Sequence, residues 1–277
     1  MIGVFDSGIG GLTVLHWFLK ELPEYDYVYI GDNARAPYGN RSPETVYEYT
    51  RQEVEYLFNS GAQLVVLACN TASSLALRRL QQEWLPQHFP DRRILGVLIP
   101  LVETALQTTK TGRIGVVGTR GTISSGAVTR EFEKRRVMVR PDLAHMEIFS
   151  ASCPLLVPLT EEGWIDRPET KRIMRHYVRE LKQKNIDTLL LACTHYPLLY
   201  DHFSAIMGKK VKVIDNHAIA LSFKNYFERH PDIAALCRSK SETPKRMFLT
   251  TDDPERFSRL SSRFLGEQIE AHHVAVL

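Results

Sequence analysis

A chain of 277 residues with 44% hydrophobic and 24% charged residues has ordinary globular composition and length for one large domain or two smaller ones. Its 35 basic and 32 acidic residues leave a formal charge of +3, too mild for a nucleic-acid footprint, and the densest basic cluster, Lys134-Arg135-Arg136, reads as a solvated helix face. No stretch reaches the roughly 18 apolar residues of a membrane span, Asp6 interrupts the first apolar run where a signal peptide would continue, and four cysteines without a C-x-x-C pair fit a reducing cytoplasm.

In chain order, "MIGVF" at 1–5 predicts a strand, "DSGIGG" a turn and residues 11–21 an amphipathic helix. A strand over 25–32 follows, then a helix over 43–59 that opens with Ser42 as cap and Pro43 at its first position. Strands are expected over 62–69 and 93–99, with helices over 71–83 and 101–108. A second series begins with a strand over 113–119 and a helix over 123–135. Short strands over 137–141 and 146–151, a helix over 167–184, and strands over 187–193 and 210–215 complete it, with helices beyond. Strands alternating with helices, and lacking a clean period of two, predict parallel sheets covered on both faces.

The chain resembles itself. "IGVFDSGIGG" pairs with "IGVVGTRGT", and "VVLACNTAS" at 65–73 pairs with "LLLACTHYP" at 189–197, which sets Cys69 and Cys193 124 residues apart. Two related α/β units are expected, with ligands beyond the carboxyl ends of their strands. Those ends carry Asp6-Ser7, Asp32, Cys69-Asn70-Thr71, Cys193-Thr194-His195 and, on a fifth, Thr119 and Thr122. A strand end that feeds a helix offers free N–H groups and a positive dipole, which hold carboxylates and lower a thiol's pKa.

Each feature also has a plain structural reading. A lone cysteine after an apolar run is usually a small buried hydrophobe, and Cys153 and Cys237, which lack the matched positions and following hydrogen-bonding residues of Cys69 and Cys193, are left to the core or the surface. "DSGIGG" does not complete G-x-G-x-x-G, so dinucleotide binding has little support. Cys193 and His195 lack the C-x₂₋₄-C or H-x₃₋₅-H spacing of zinc sites, no G-x-S-x-G elbow is present, and no lysine sits in a phosphate cradle for pyridoxal phosphate. No metal and no cofactor are expected. Two matched thiols suggest another chemistry. One thiolate takes a proton from one face of a carbon while the opposite thiol gives one to the other face, and a thiol's reference pKa of about 8.5 is tunable for either role.

The blocks "GVFDSGIGGLTVL", "YIGDNARAPYGNRSPE", "LVVLACNTASS", "GVVGTRGTISS", "CPLLVPLTEEGW", "LLLACTHYPLL" and "FLTTDDPERF" stand in the order found in glutamate racemases, and the chain resembles that family over nearly its whole length. The resemblance implies cofactor-independent interconversion of L- and D-glutamate, supplying D-glutamate for peptidoglycan. It implies Cys69 and Cys193 as the catalytic pair, the first deprotonating D-glutamate and the second L-glutamate. Asp6 would assist Cys69, and His195 with Glu161, favoured over Glu162, would assist Cys193. Substrate contacts would come from Asp6, Ser7, Tyr38, Gly39, Asn70, Thr71, Thr119, Thr122, Thr194 and His195.

The resemblance further implies a cytoplasmic homodimer of α/β fold, with two pseudo-symmetric domains of mainly parallel sheets flanked by helices and the active site in the cleft between them. The first domain is expected over 1–97 plus 208–277, the strand at 210–215 returning to it, and the second over 98–207. The chain departs from the family's habits at Ile214-Asp215-Asn216-His217 and at "GAV" after "GTISS". It begins two residues before its first motif, so no dependence on a cell-wall precursor as activator is expected. An aspartate racemase or other member of the superfamily is the near alternative. A non-catalytic binding protein on this fold, such as the gyrase-inhibiting role reported for some relatives, is the distant one; a pure binder would need neither thiol.

Overall fold

A computed structural model of the chain describes residues 1–143 and 145–276. Ten strands among the described residues run in order as β1 (Ile2–Asp6), β2 (Tyr27–Gly31), β3 (Leu64–Leu67), β4 (Arg93–Gly96), β5 (Arg113–Gly118), β6 (Glu147–Ser152), β7 (Thr188–Ala192), β8 (Lys212–Ile214), β9 (Arg246–Thr250) and β10 (His272–His273). They form two sheets, β10-β9-β2-β1-β3-β4 and β6-β5-β7-β8, and every neighbouring pair is parallel. Every residue of β1, β2, β3 and β7 is buried, as a parallel strand with helices on both faces requires.

Four strands of each sheet share one order. β2-β1-β3-β4 matches β6-β5-β7-β8, so the repeated phrases of the sequence are two copies of one topology, the first sheet extended beyond β2 by β9 and β10. This corrects one expectation. The run at 210–215, expected to return to the first unit, is β8 and pairs with β7 in the second sheet, with Leu190 opposite Ile214. It is the counterpart of β4, which pairs with β3 in the same way. The chain returns to the first sheet through β9 and β10, for which no strand was expected.

Residues 137–139, expected in a short strand, instead end the helix Ala127–Val139. Val128 and Phe132 bury one face of that helix against the helix Leu98–Thr108, and Arg136 donates to the Leu143 carbonyl beyond its end at 2.7 Å. Packing upstream carries the helix through β-branched residues, leaving Val137 and Met138 exposed. Ser42 caps the helix Pro43–Asn59 as expected, accepting from the Thr45 N–H at 3.2 Å.

One hydrophobic core joins the units. Val4, Tyr29 and Val66 of the first sheet and Ile114, Val116 and Leu190 of the second belong to a single buried cluster, bridged by Leu101, Ala105 and Phe223 from helices between them. Each sheet has a further cluster on its other face. The carboxyl ends of the two sheets are thereby held against a common seam.

Candidate active site

Parallel strands deliver all their carboxyl ends to one edge. β1 ends on Asp6, β3 runs into Cys69, β5 into Thr119, and β7 into Cys193-Thr194-His195. Cys69 is the N-cap of the helix Asn70–Leu75, its sulfur accepting from the Ala72 N–H at 3.5 Å and lying 3.3 Å from the Ser7 hydroxyl. Thr119 follows β5, the counterpart of β1, and caps the helix Arg120–Ser124, accepting from the Thr122 N–H at 3.2 Å. The tips meet. Cys69, Cys193, Ser7, Tyr38, Gly39, Asn70, Thr71, Thr119, Glu161, Thr194 and His195, with Gly8, Ala36, Pro37 and Val157, line one cavity of about 40 Å³. It adjoins an outer cavity of about 610 Å³ that shares Gly39, Thr119 and Glu161 and adds Arg120, Asp253 and Arg256.

Burial decides the electrostatics. Both thiols are only 4% exposed. Desolvation pushes Cys69 up to about 11, with the Asp6 charge adding to it and the Ser7 hydroxyl and Ala72 N–H opposing. Desolvation pushes Cys193 up further still. Asp6, fully buried, has its carboxyl raised by burial, against the pull of His195 and hydrogen bonds from Gly8 and Thr194. For Glu161 burial is the largest single influence and works upward, but the His195 hydrogen bond and the charges of His195 and Arg256 together hold the carboxyl below its ordinary value.

These groups form a chain across the seam. The Thr194 hydroxyl lies 3.4 Å from both Asp6 Oδ1 and His195 Nδ1, and His195 Nε2 donates to Glu161 Oε1 at 2.9 Å. Glu161, not Glu162, makes this contact and lines the cavity. The hydroxyls of Thr71, Thr119 and Thr122 form a triangle of 2.9, 3.0 and 3.3 Å that sews the first unit to the second. Neither amide atom of Asn70 has a protein partner although the residue is 2% exposed, a state worth about 1–3 kcal/mol per group until a polar ligand meets it.

Of the expected site residues, Asp6 and Thr122 are not part of the cavity lining and are hydrogen-bonded to residues that are, Asp6 to Gly8 and Thr194 and Thr122 to Thr71 and Thr119. Tyr38 lines the cavity, and its hydroxyl donates to Asp32. Asp32 also accepts from Arg35 at 2.7 Å, and Arg35 pairs with Glu53 at 2.6 Å, so a buried charge cluster anchors the loop that carries Tyr38 and Gly39. Sequence reasoning missed Gly10, where a Cβ would stand 2.3 Å from Thr194 Oγ1 and 2.4 Å from His195 Nδ1. It also missed Thr13, whose hydroxyl lies 2.8 Å from the Gly10 and Thr194 carbonyls and accepts from Asn216 at 2.7 Å. The glycine-rich turn was the available signal for Gly10; nothing local marked Thr13. Among the described residues no group of three or more His, Cys, Asp or Glu is placed to hold a metal, and no helix is long and apolar enough to cross a membrane.

The chain belongs to the Asp/Glu/hydantoin racemase family, whose model matches residues 14–223. Its relatives within that family are more specific. It is 39% identical over 269 residues to the glutamate racemase of Geobacter metallireducens, covering 97% of this chain and 93% of the relative. It superposes on the crystal structure of glutamate racemase isoform RacE1 from Bacillus anthracis with a TM-score of 0.89 at 33% identity, covering 100% of this chain and 97% of that one. The Francisella tularensis enzyme, solved in complex with D-glutamate, gives a TM-score of 0.85 at 28% identity over 99% and 97% of the two chains.

Proposed function

We propose that the chain racemises glutamate without a cofactor, by a two-thiol mechanism, and so supplies D-glutamate for peptidoglycan. The observation that carries this is the delivery of two thiols, one from each unit, to a single cavity beyond matched strand ends. In the L-to-D direction the Cys193 thiolate takes the Cα proton and the Cys69 thiol gives its proton to the opposite face; the reverse reaction exchanges the roles. The unpartnered Asn70 amide, the threonine triangle and the free N–H groups at the helix starts suit the substrate's carboxylates. Burial disfavours the thiolate at both cysteines, and the substrate's ammonium is a charge that offsets this. Asp6 on the Cys69 side and the Glu161–His195 pair on the Cys193 side complete the acid–base set. The resemblance to glutamate racemases supports extending this reading to a homodimer in the cytoplasm.

Incubation with L-glutamate in heavy water, with no cofactor added, tests the reaction. Loss of optical activity together with entry of deuterium at Cα is the expected outcome. Activity with aspartate alone would keep the mechanism and overturn the substrate, and exchange with neither amino acid would overturn both.

A further inference from the structure

The helix Pro254–Leu265 follows β9 of the first sheet and packs on the helix Leu12–Glu21. Asp253 caps its start through the N–H groups of Glu255 and Arg256, and Gly266 closes it in the left-handed region. Its last turn nevertheless reaches the second unit. Arg263 Nη1 donates to the carbonyls of Thr160 at 3.1 Å and of Glu161 at 2.5 Å. These are end carbonyls of the helix Leu156–Glu161, which lack successors in the helix and carry the negative end of its dipole.

The approach is close. Gly163 has φ +76°, and a Cβ there would stand 2.6 Å from Arg263 Nη2. One residue beyond Arg263, Phe264 stands edge-on to the His195 ring, with centroids 5.3 Å apart and planes at 80°. Consecutive residues of a first-unit helix therefore hold both members of the Glu161–His195 pair. Neither Arg263 nor Phe264 lines the inner cavity. The Arg263 bonds go to backbone, which fixes the end of a helix rather than neutralising a carboxylate.

We infer that Arg263 is a positioning residue for the Cys193 side of the reaction, tying Glu161 and His195 to the first unit so that the pair stands in register with Cys193 when the seam is closed. The inference rests on the glutamate racemisation proposed above and adds a residue outside its reacting set. A racemase with two thiols has two proton-transfer barriers. Loosening the support on one side raises that barrier alone, and it then limits both directions.

The test uses full-length Arg263→Gln and Arg263→Lys beside the wild type, each assayed with ordinary and Cα-deuterated L- and D-glutamate. Arg263→Gln is expected to lower kcat about tenfold with KM changed by less than about twofold. The deuterium isotope effect on kcat/KM should rise from L-glutamate, whose proton goes to Cys193, and fall from D-glutamate. Arg263→Lys should restore part of both. A folded Gln variant with wild-type isotope effects in both directions, or with the opposite shift, overturns the inference, because a smaller folded fraction scales kcat and leaves isotope effects unmoved. If the Gln variant does not fold, the Lys variant decides by the same isotope effects. A wild type that racemises no glutamate overturns the underlying reading instead, before either variant matters.

Discussion

The Cys69 wall and the Cys193 wall occupy matched places in a duplicated topology, yet their acid–base neighbours arrive by different routes. β1, beside Cys69, ends on Asp6, whereas β5, in the same place beside Cys193, ends on Gly118. The second unit has no carboxylate at that strand end and takes one from the helix after β6, where Glu161 reaches in through His195. Cys69 has a helix N–H and a serine hydroxyl at its sulfur, while Cys193 is raised further by its surroundings. Duplication thus supplies what the two faces need in common, a thiol at a strand end, and individual residues supply what differs.

Replacing either thiol should break the symmetry outright. Cys69→Ser and Cys193→Ser are each expected to lose racemisation by about 10³-fold or more. In heavy water Cys69→Ser should still exchange the Cα hydrogen of L-glutamate, and Cys193→Ser that of D-glutamate, as proton NMR of the recovered substrate would report. Equal exchange of both enantiomers by either variant would remove the assignment of faces.

The neighbours should sharpen the contrast with smaller effects. Glu161→Gln is expected to lower kcat by about 10–100-fold, with the larger isotope effect from L-glutamate, and Asp6→Asn to do the same from D-glutamate. Stability should separate the two as well. Burial raises the Asp6 carboxyl, so the folded state keeps its proton to higher pH than the unfolded chain does. The penalty is absent below the unfolded value of about 4 and grows as pH rises through the folded pKa. Asp6→Asn should therefore stabilise the protein at neutral pH, a gain that vanishes toward pH 4 in urea titrations. Glu161 is held below its ordinary value, so Glu161→Gln should destabilise at neutral pH and approach the wild type in acid.

The smallest effect is expected where the two walls touch. Gly10→Ala puts a methyl into the space of Thr194 and His195, and a cost of about 1–3 kcal/mol in stability with about tenfold in kcat should follow. A fully active Gly10→Ala variant would mean that the seam opens there without consequence.

The sequence made the parallel strands and the two cysteines legible because both are local. Apolar runs ending on small polar residues mark strand ends, and the repeat paired them. The resemblance pointed to Glu161, but only the 2.9 Å contact with His195 distinguishes it from Glu162 in space, since adjacent side chains on a short helix differ by direction rather than spacing. The β8 strand was placed in the wrong sheet because its pairing is a long-range choice, though the internal repeat, read one strand further, would have set it opposite β7 as β4 stands opposite β3. Thr13, Arg263 and Phe264 were beyond reach for the same reason. Their partners lie 102 to 181 residues away for the hydrogen bonds of Arg263 with Glu161 and of Thr13 with Thr194, and no local pattern encodes such a meeting.

The inner cavity is about 40 Å³, against about 610 Å³ for the outer cavity it adjoins. The two share Gly39, Thr119 and Glu161, so a ligand and solvent water reach the thiols from the same side. With the two-thiol reaction, each turnover leaves the protein with a memory: after making D-glutamate it holds a Cys69 thiolate and a Cys193 thiol, the form fitted to run backward. To take another L-glutamate it must first be reset by proton exchange with water entering from the outer cavity. The interval between product release and the next substrate is therefore also when the protein forgets which enantiomer it last handled.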